Sequence, residues 1–289
     1  MSIPRRLIPY CFIFPSFLMV GTFLYYPVFT SLFHSFTRWD LASSTWVGLD
    51  NYRQLFSDAM FLKSLANQAI FMISDVVKAL VFPLVIAELI HLLAGRWTKY
   101  LFRTGFSVPL LVPPVVVFLL WQYIYDPNYG LLNQVLDLFG LSEWARPWLG
   151  DGGTALWAIV LVNFPFAAGL SFLIYYAEIG NMNKELIEAA RMDGAAAWKV
   201  FTRIHIPLLV PSIRTITILT LIASMQDFVK ILVLTGGGPG DATVVPALVM
   251  YDAAFTGSQY GYGAAIGTCL MLIVITITLF NMKFLKSKM

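Results

Sequence analysis

The chain has 289 residues, 58% of them hydrophobic and 12% charged, against roughly 25% charged in soluble domains. That balance excludes a soluble globular protein, because so few charges cannot cover so much apolar surface. The small positive balance of +3 also excludes a nucleic-acid footprint, since the basic residues are dispersed and mostly flank apolar runs.

A helix needs roughly 20 apolar residues to cross a hydrocarbon core of about 30 Å, and six stretches approach that standard. Leu7 to Thr37 contains no Asp, Glu, Lys or Arg and predicts the first span. Arg5 and Arg6 precede it as in a signal peptide, but the run exceeds an h-region of about 7–15 residues and no small-x-small site follows. A retained anchor is therefore expected. A long outer loop from Arg38 to Asn67 follows, with an Asp50-Asn51-Tyr52 turn and an amphipathic Tyr52–Leu65 stretch expected at the interface. Gln68 to Ile90 predicts the second span and carries Asp75 and Lys78. Thr104 to Tyr125 and Gly152 to Ala177, both free of charge, predict the third and fourth. The stretch from Glu178 to Pro211 then leads into a fifth span, Thr215 to Leu234, which carries Asp227 and Lys230. Thr235-Gly236-Gly237-Gly238-Pro239-Gly240 cannot continue a helix and predicts irregular backbone. Ala253 to Met282 completes the set. The expected fold class is all-α, an integral membrane helical bundle of about six transmembrane helices, with no internal repeat and no soluble domain.

Orientation follows from the basic residues. With the N-terminus inside, the cytoplasmic segments hold Arg5, Arg6, Arg96, Lys99, Arg103, Lys184, Arg191, Lys199, Arg203, Arg214, Lys283, Lys286 and Lys288, thirteen of the 19 Lys and Arg. The outside segments hold only Arg38, Arg53, Lys63 and Arg146 and collect acids and tryptophans instead. Both termini are thus predicted to be cytoplasmic.

The segment from Glu178 to Pro211 is too long for a simple connection and too patterned for a floppy one. Asn181 or Asn183 can cap a helix, with Glu185 and Glu188 in its first turns. Leu186, Ala189 and Ala190 share one shallow apolar face, Gly194 ends or bends the helix, and Ala195 to His205 reads as a second short one. A small-residue face allows close approach to a groove in a partner, and the break makes an elbow able to tilt the attached spans. The alternative is a surface helix packed on its own domain.

Glu188-Ala189-Ala190, three residues, Gly194, nine residues and Ile204-His205-Ile206-Pro207 resemble the EAA signature of bacterial ABC importer permeases, "EAA---G---------I-LP", with Ile206 in place of the usual leucine. Arg191-Met192-Asp193-Gly194-Ala195 is similar to its "A-x-x-D-G-A" version. Gly48-Leu49-Asp50-Asn51-Tyr52 resembles the "GLDNY/F" turn of carbohydrate-importer permeases, and Val233-Leu234-Thr235-Gly236-Gly237-Gly238-Pro239 resembles the "L-T-G-G-G-P" stretch of the subunit that pairs with a second permease. By this resemblance the chain is the first membrane subunit of a maltose-, multiple-sugar- or glycerol-phosphate-type importer in the bacterial inner membrane. The resemblance implies a type I importer fold and a single permease domain over 1–289, with a five-helix core at about 68–283 and a coupling loop at 178–211.

The resemblance also implies the company the chain keeps: a second homologous permease, two ATP-binding subunits that hold the ATP-Mg, and an extracytoplasmic solute-binding protein. The chain itself has no P-loop, so it is expected to be neither an ATPase nor any other enzyme and to bind no cofactor or metal. Cys11 and Cys269 form no CxxC, and His34, His91 and His205 share no ligand spacing. Coupling to the ATPase would fall to Glu188 as anionic contact, Ala189 and Ala190 as close-packed face, Asp193 and Gly194 at the elbow and Pro207 at the junction. A central site would open first outward, then inward, carrying a sugar such as an oligosaccharide. Polar or aromatic groups inside spans mark its path, and by the resemblance to sugar-importer permeases these are Asn163 and Phe166 around Pro165 in the fourth, and Ser224, Gln226 and Asp227 in the fifth. Trp121, Tyr123 and Tyr125 either stack on a pyranose or anchor the interface. Asp75 with Lys78, and Asp227 with Lys230, stand at i, i+3 and can neutralise each other on one helix face. Alternatively Lys78 or Lys230 meets an anionic substrate, a uronate or a phosphate ester. A self-contained six-span secondary transporter or channel is the competing class, and it leaves the Glu188–Pro207 signature unaccounted for.

Overall fold

The computed structural model describes residues 8–164 and 169–284. Most of them are helical, and the sheet they contain is a two-stranded hairpin. The chain divides into two compact units, one built from the stretch ending at Leu62 together with Val249–Leu272, the other from Lys63–Leu248 with Ile273 onward.

In the first unit, α1 (Ile8–Val20), a π-helical turn at Gly21–Tyr25 and α2 (Tyr26–His34) form an apolar helix. Its sides remain exposed, Phe12 at 80% and Phe23 at 72%, as expected of a helix whose solvent is lipid. The hairpin β1 (Thr37–Trp39) and β2 (Ser44–Trp46) follows, antiparallel, with Arg38 opposite Thr45. The expected Asp50-Asn51-Tyr52 turn works as a clamp. Buried Asn51 donates from Nδ2 to the carbonyls of Ser35 and Thr37, both at 2.9 Å, and Tyr52 Oη donates to Ser35 Oγ at 2.7 Å. The expected Tyr52–Leu65 amphipathic stretch is divided instead. It falls into α3 (Asp50–Ser57) and the start of α4 (Ala59–Leu92), because Asp58 leaves helical geometry to accept the Met60 and Phe61 amides. Tyr262 Oη donates to the other oxygen of Asp58 at 2.8 Å. Beside Tyr262, Gly261 is pressed on the hairpin so closely that a Cβ would collide with the Thr37 carbonyl.

The second unit contains most of α4, whose 34 residues make it about 51 Å long at 1.5 Å per residue. Next come α5 (Arg96–Ser107), a 3₁₀ turn at Val108–Leu111, α6 (Pro114–Ile124), α7 (Leu131–Leu138), α8 (Ala155–Leu161) and α9 (Gly169–Asn181). The loop segment holds α10 (Lys184–Met192), α11 (Ala197–Val200), a π-helical turn at Phe201–His205 and α12 (Ile206–Leu208). α13 (Val210–Gln226) and α14 (Val229–Leu234) follow, then α15 (Pro246–Tyr251), a π-helical turn at Asp252–Thr256 and α16 (Tyr260–Phe284), which carry the chain through the first unit and back. The core joins α4, α9 and α13 through Ala87, Ile90, Phe172, Tyr175, Ile179 and Ile216.

Six spans are predicted. Among the described residues, three helices are long and apolar enough to cross a membrane, Phe12–His34, Ala59–Leu92 and Tyr260–Lys283. Two more stretches qualify as bent pairs, with 95° between Arg96–Leu111 and Pro114–Ile124, and 64° between Ala197–Leu208 and Val210–Gln226. The first bend has a cause in Pro113 and Pro114, which remove consecutive amide donors. The predicted fourth span comprises α8 and α9, on either side of residues 165–168, which lie outside the described residues. The predicted fifth, Thr215–Leu234, is interrupted where Asp227 departs from helical geometry at φ −83°, ψ 81°. The tri-glycine loop is irregular as expected. Asn67 of α4 ties it down by donating to the carbonyls of Asp241 and Val244, at 3.3 and 2.9 Å.

Candidate functional site

The Pro113–Pro114 bend and the Asp227 break meet at one place. A cavity of about 480 Å³ is walled by Asp75 and Lys78 of α4, Pro114 and Phe118 of α6, Asn163 after α8, Gly169 and Ser171 of α9, Thr220 and Ser224 of α13, and Asp227 and Lys230 at the α13–α14 break. Broken backbone at membrane depth is tolerated only inside protein or along a cavity, where freed amides and carbonyls find partners. Asn163 has left-handed backbone, φ 68°, a conformation that asparagine adopts more readily than most residues. An adjoining cavity of about 400 Å³ shares Leu110, Pro114, Asn163 and Gly169 and adds Phe164 and Trp121.

Four charges stand in the wall of the main cavity. Asp75 Oδ1 is 2.9 Å from Lys78 Nζ, and its Oδ2 is 3.5 Å from Lys230 Nζ, which lies 3.6 Å from Asp227 Oδ2. Ser224 Oγ donates to Asp75 Oδ2 at 2.9 Å, and Lys78 donates to the Val160 carbonyl at 2.9 Å. Lys230 Nζ also lies 5.3 Å from the Phe71 ring centroid, within cation–π range. Both i, i+3 pairs expected from the sequence are present, and Asp75 joins them into one cluster across α4 and α14. Two carboxylates balance two ammonium groups. Asp227 is the most open of the four, its side chain 35% exposed against 9% for Lys230.

Of the sequence candidates, Asn163, Ser224, Asp227 and Lys230 come together around this cavity. Gln226 does not. Two residues past Ser224, it is turned roughly 200° around the helix and its side chain is exposed on the other face. Phe166 lies outside the described residues. The aromatic trio separates: Trp121 lines the adjoining cavity, Tyr123 is 63% exposed, and buried Tyr125 donates to the Ala158 carbonyl at 2.9 Å. Thr220 and Ser171 were not singled out by the sequence. Thr220 was within reach, since it precedes Ser224 by four and must share its helix face. Ser171 carries no such signal.

The loop segment is built differently. Asn183 caps α10, its Oδ1 accepting the Glu185 amide at 2.9 Å. At the other end Gly194 adopts φ 77°, letting the Ala195 amide reach the Ala190 carbonyl at 2.9 Å and close the helix. A Cβ on Gly194 would meet nothing within 4 Å, so the demand for glycine there is one of backbone conformation. Glu188, Ala189 and Asp193 are exposed, Ala190 half-buried. Leu186, Met192 and Trp198 add exposed apolar surface, Met192 at 88%. The predicted second helix, Ala195 to His205, starts at Ala197 and loosens into the π-helical turn, with Pro207 opening α12. Buried His205 donates from Nδ1 to Glu88 Oε2 of α4 at 2.8 Å. No local spacing announces this pair, because 117 positions separate Glu88 from His205.

The sequence matches the family model described as binding-protein-dependent transport system inner membrane component over residues 59–289. It is 34% identical to the probable ABC transporter permease protein YurN of Bacillus subtilis over 286 residues, covering 98% of this chain and 97% of that protein. It is 30% identical to the multiple sugar-binding transport system permease protein MsmF of Streptococcus mutans, covering 95% and 93%. Among solved structures, a chain of a bacterial ABC transporter involved in the import of the acidic polysaccharide alginate superposes with a TM-score of 0.86 at 22% identity, over 97% of this chain and 96% of that one.

Proposed function

The chain belongs to the family of binding-protein-dependent transport system inner membrane components, and on that premise we propose that it forms half of the path by which a neutral oligosaccharide is imported. It is an ABC importer permease, integral to the inner membrane. The observation that carries the substrate reading is the balanced charge cluster. Lys78 and Lys230 spend their charge on Asp75 and Asp227, so the cavity offers polar groups without net charge. The open carboxylate of Asp227, the Asn163 amide and the hydroxyls of Ser224 and Thr220 suit the vicinal hydroxyls of a sugar. Phe166 belongs to the same proposal on sequence grounds.

The second reading is an anionic glycan or glycerol phosphate, and two lysines in the wall favour it. Uptake by Lys230→Met and wild type, compared for a neutral and an acidic oligosaccharide, separates the two. Equal loss for both eliminates a direct lysine–anion contact, whereas loss confined to the acidic glycan overturns the neutral reading.

Energy comes from two separate ATPase subunits, and substrate from an extracytoplasmic binding protein. The exposed α10 docks on an ATPase through Glu188, Ala189 and Ala190, with both termini and the loop in the cytoplasm. ATP-driven closure then turns the elbow at Asp193–Gly194 and moves α13 through Pro207. A second permease completes the cavity. A nucleotide-binding partner that co-purifies with wild type and is lost from Glu188→Lys supports this assembly. Sugar uptake by the chain without any ATPase would instead support the secondary transporter.

A further inference from the structure

We infer that a second cavity, at the end of the helices that carries the α10 loop, binds the phosphate group of a small molecule or lipid headgroup. Its volume is about 350 Å³, within the range of small-ligand sites, roughly 300–1,000 Å³. Its walls come from the ends of α4 and α9 and from both sides of the Gly194 elbow. Three cationic side chains, Lys99, Lys184 and Arg191, face one acid, Glu88, so the cavity is net positive before either histidine is counted. Lys99 is fixed in place, donating to the His91 carbonyl at 2.8 Å. Lys184 and Arg191 form no ion pair among the described residues.

The decisive group is His205. It is 5% exposed, and its Nε2 has no hydrogen-bond partner among the described residues. A carboxylate can only accept, so the Glu88 contact at 2.8 Å puts the proton of that bond on Nδ1 and leaves Nε2 as the unpartnered nitrogen of a ring that lines the cavity. A buried nitrogen without a partner is costly. An anion in the cavity removes that cost by accepting from the imidazolium Nε2–H, and a singly protonated phosphate does so by donating its O–H to the neutral ring. His91 is committed elsewhere, its Nε2 3.1 Å from the Tyr176 carbonyl and its ring stacked on Tyr176. A phosphate offers several acceptor oxygens to Arg191, Lys184 and His205 together, and arginine's planar fork suits that geometry. An occupant would bridge Arg191, before Gly194, to His205, after it. If α10 is the ATPase-coupling helix, on which reading the regulatory consequence alone rests, phosphate resists bending of the elbow and slows transport.

The test is a titration of inorganic phosphate into the detergent-purified chain with the subunits that accompany it, reading the thermal midpoint against potassium chloride at matched ionic strength. The expected result is a saturable rise specific to phosphate. Its apparent affinity falls about tenfold or more in Lys184→Gln/Arg191→Gln, where charged hydrogen bonds are removed. It falls likewise in His205→Gln, whose amide can still bond Glu88. A response no larger than that to chloride, or one unchanged in the lysine–arginine double variant, overturns the site. Repeating the titration in nanodiscs with and without phosphatidic acid names the source. Competition by that lipid assigns a headgroup, and an unchanged response assigns a soluble phosphate. The titration reads the cavity whether or not an ATPase co-purifies, so loss of that partner defeats the assembly proposed above and leaves the phosphate site standing.

Discussion

The central cavity and the α10 loop both carry charged residues and treat them in opposite ways. In the cavity wall, Asp75, Lys78, Asp227 and Lys230 are paired with one another inside the chain. On the loop, Glu188 and Asp193 stand exposed beside Leu186, Met192 and Trp198. Burial explains the difference, since an unpaired charge in a low-dielectric interior costs several kcal/mol while a solvated one costs almost nothing. The cavity must satisfy itself within the chain, and the loop can wait for a partner.

Asp75→Asn gives the sharpest break in that comparison. Asp75 is the only member that touches both lysines, so its loss leaves Lys78 with the Val160 carbonyl and weakens the hold on Lys230. Removing one partner of a buried pair costs about 3–5 kcal/mol, which should appear as a lower thermal midpoint of the purified protein. Asp75→Asn/Lys78→Met should recover part of the loss. A double variant as unstable as the sum of its singles would mean that the two residues act independently.

Glu88→Gln ranks second and sits between the two regions, on α4 but facing the loop. It weakens the bond to His205 and should cost about 1.5–3 kcal/mol, the worth of a hydrogen bond to a charged group. ATPase stimulation by substrate should fall more than cavity binding, measured as substrate affinity in the same preparation. An equal fall in both would mean that the Glu88–His205 pair supports the helices generally.

Gly194→Asp follows in energy. A side chain at φ 77° carries a backbone cost of about 1–2 kcal/mol, with no steric clash added because nothing lies within 4 Å. The chain should therefore accumulate in the membrane near wild-type level and fail to retain its nucleotide-binding partner. If Gly194→Asp disappears from the membrane altogether, the elbow is part of the folding core, and the contrast drawn between loop and cavity collapses.

The two regions were also unequally legible. The loop was read almost residue by residue, because cap, face and elbow lie within one local stretch and follow helical spacing from Asn183 to Gly194. The cavity was read only in part. Ser224, Asp227 and Lys230 announce themselves as polar groups in an apolar run, but the Asp75–Lys230 contact spans 155 positions, and nothing local predicts which helices approach. Glu88 and His205 were missed for the same reason. Composition stays apolar where geometry breaks. Hydropathy cannot see that Pro113-Pro114 bends the third stretch by 95°, or that Asp227 interrupts the fifth. Family resemblance supplied the importer assignment; the residue pattern of the loop alone left a packed surface helix open.

The smallest effect is expected from Gln226→Ala, and it tests the boundary of the cavity. Gln226 lies between Met225, which is buried, and Asp227, which lines the cavity, yet its side chain is exposed on the far side of α13. Its backbone carbonyl, which accepts the Phe228 amide at 3.0 Å, survives the substitution. An exposed change of this kind is worth within about 0.5 kcal/mol either way, so thermal midpoint and uptake should both stay near wild type. In the same assay Asp227→Ala, which strips Lys230 of one of its two partners and opens the cavity wall, should reduce uptake clearly. A loss of uptake in Gln226→Ala with the midpoint unchanged would mean that this face meets the second permease or the sugar itself. The path would then run along both sides of α13, and the cavity within this chain would be only one wall of the site.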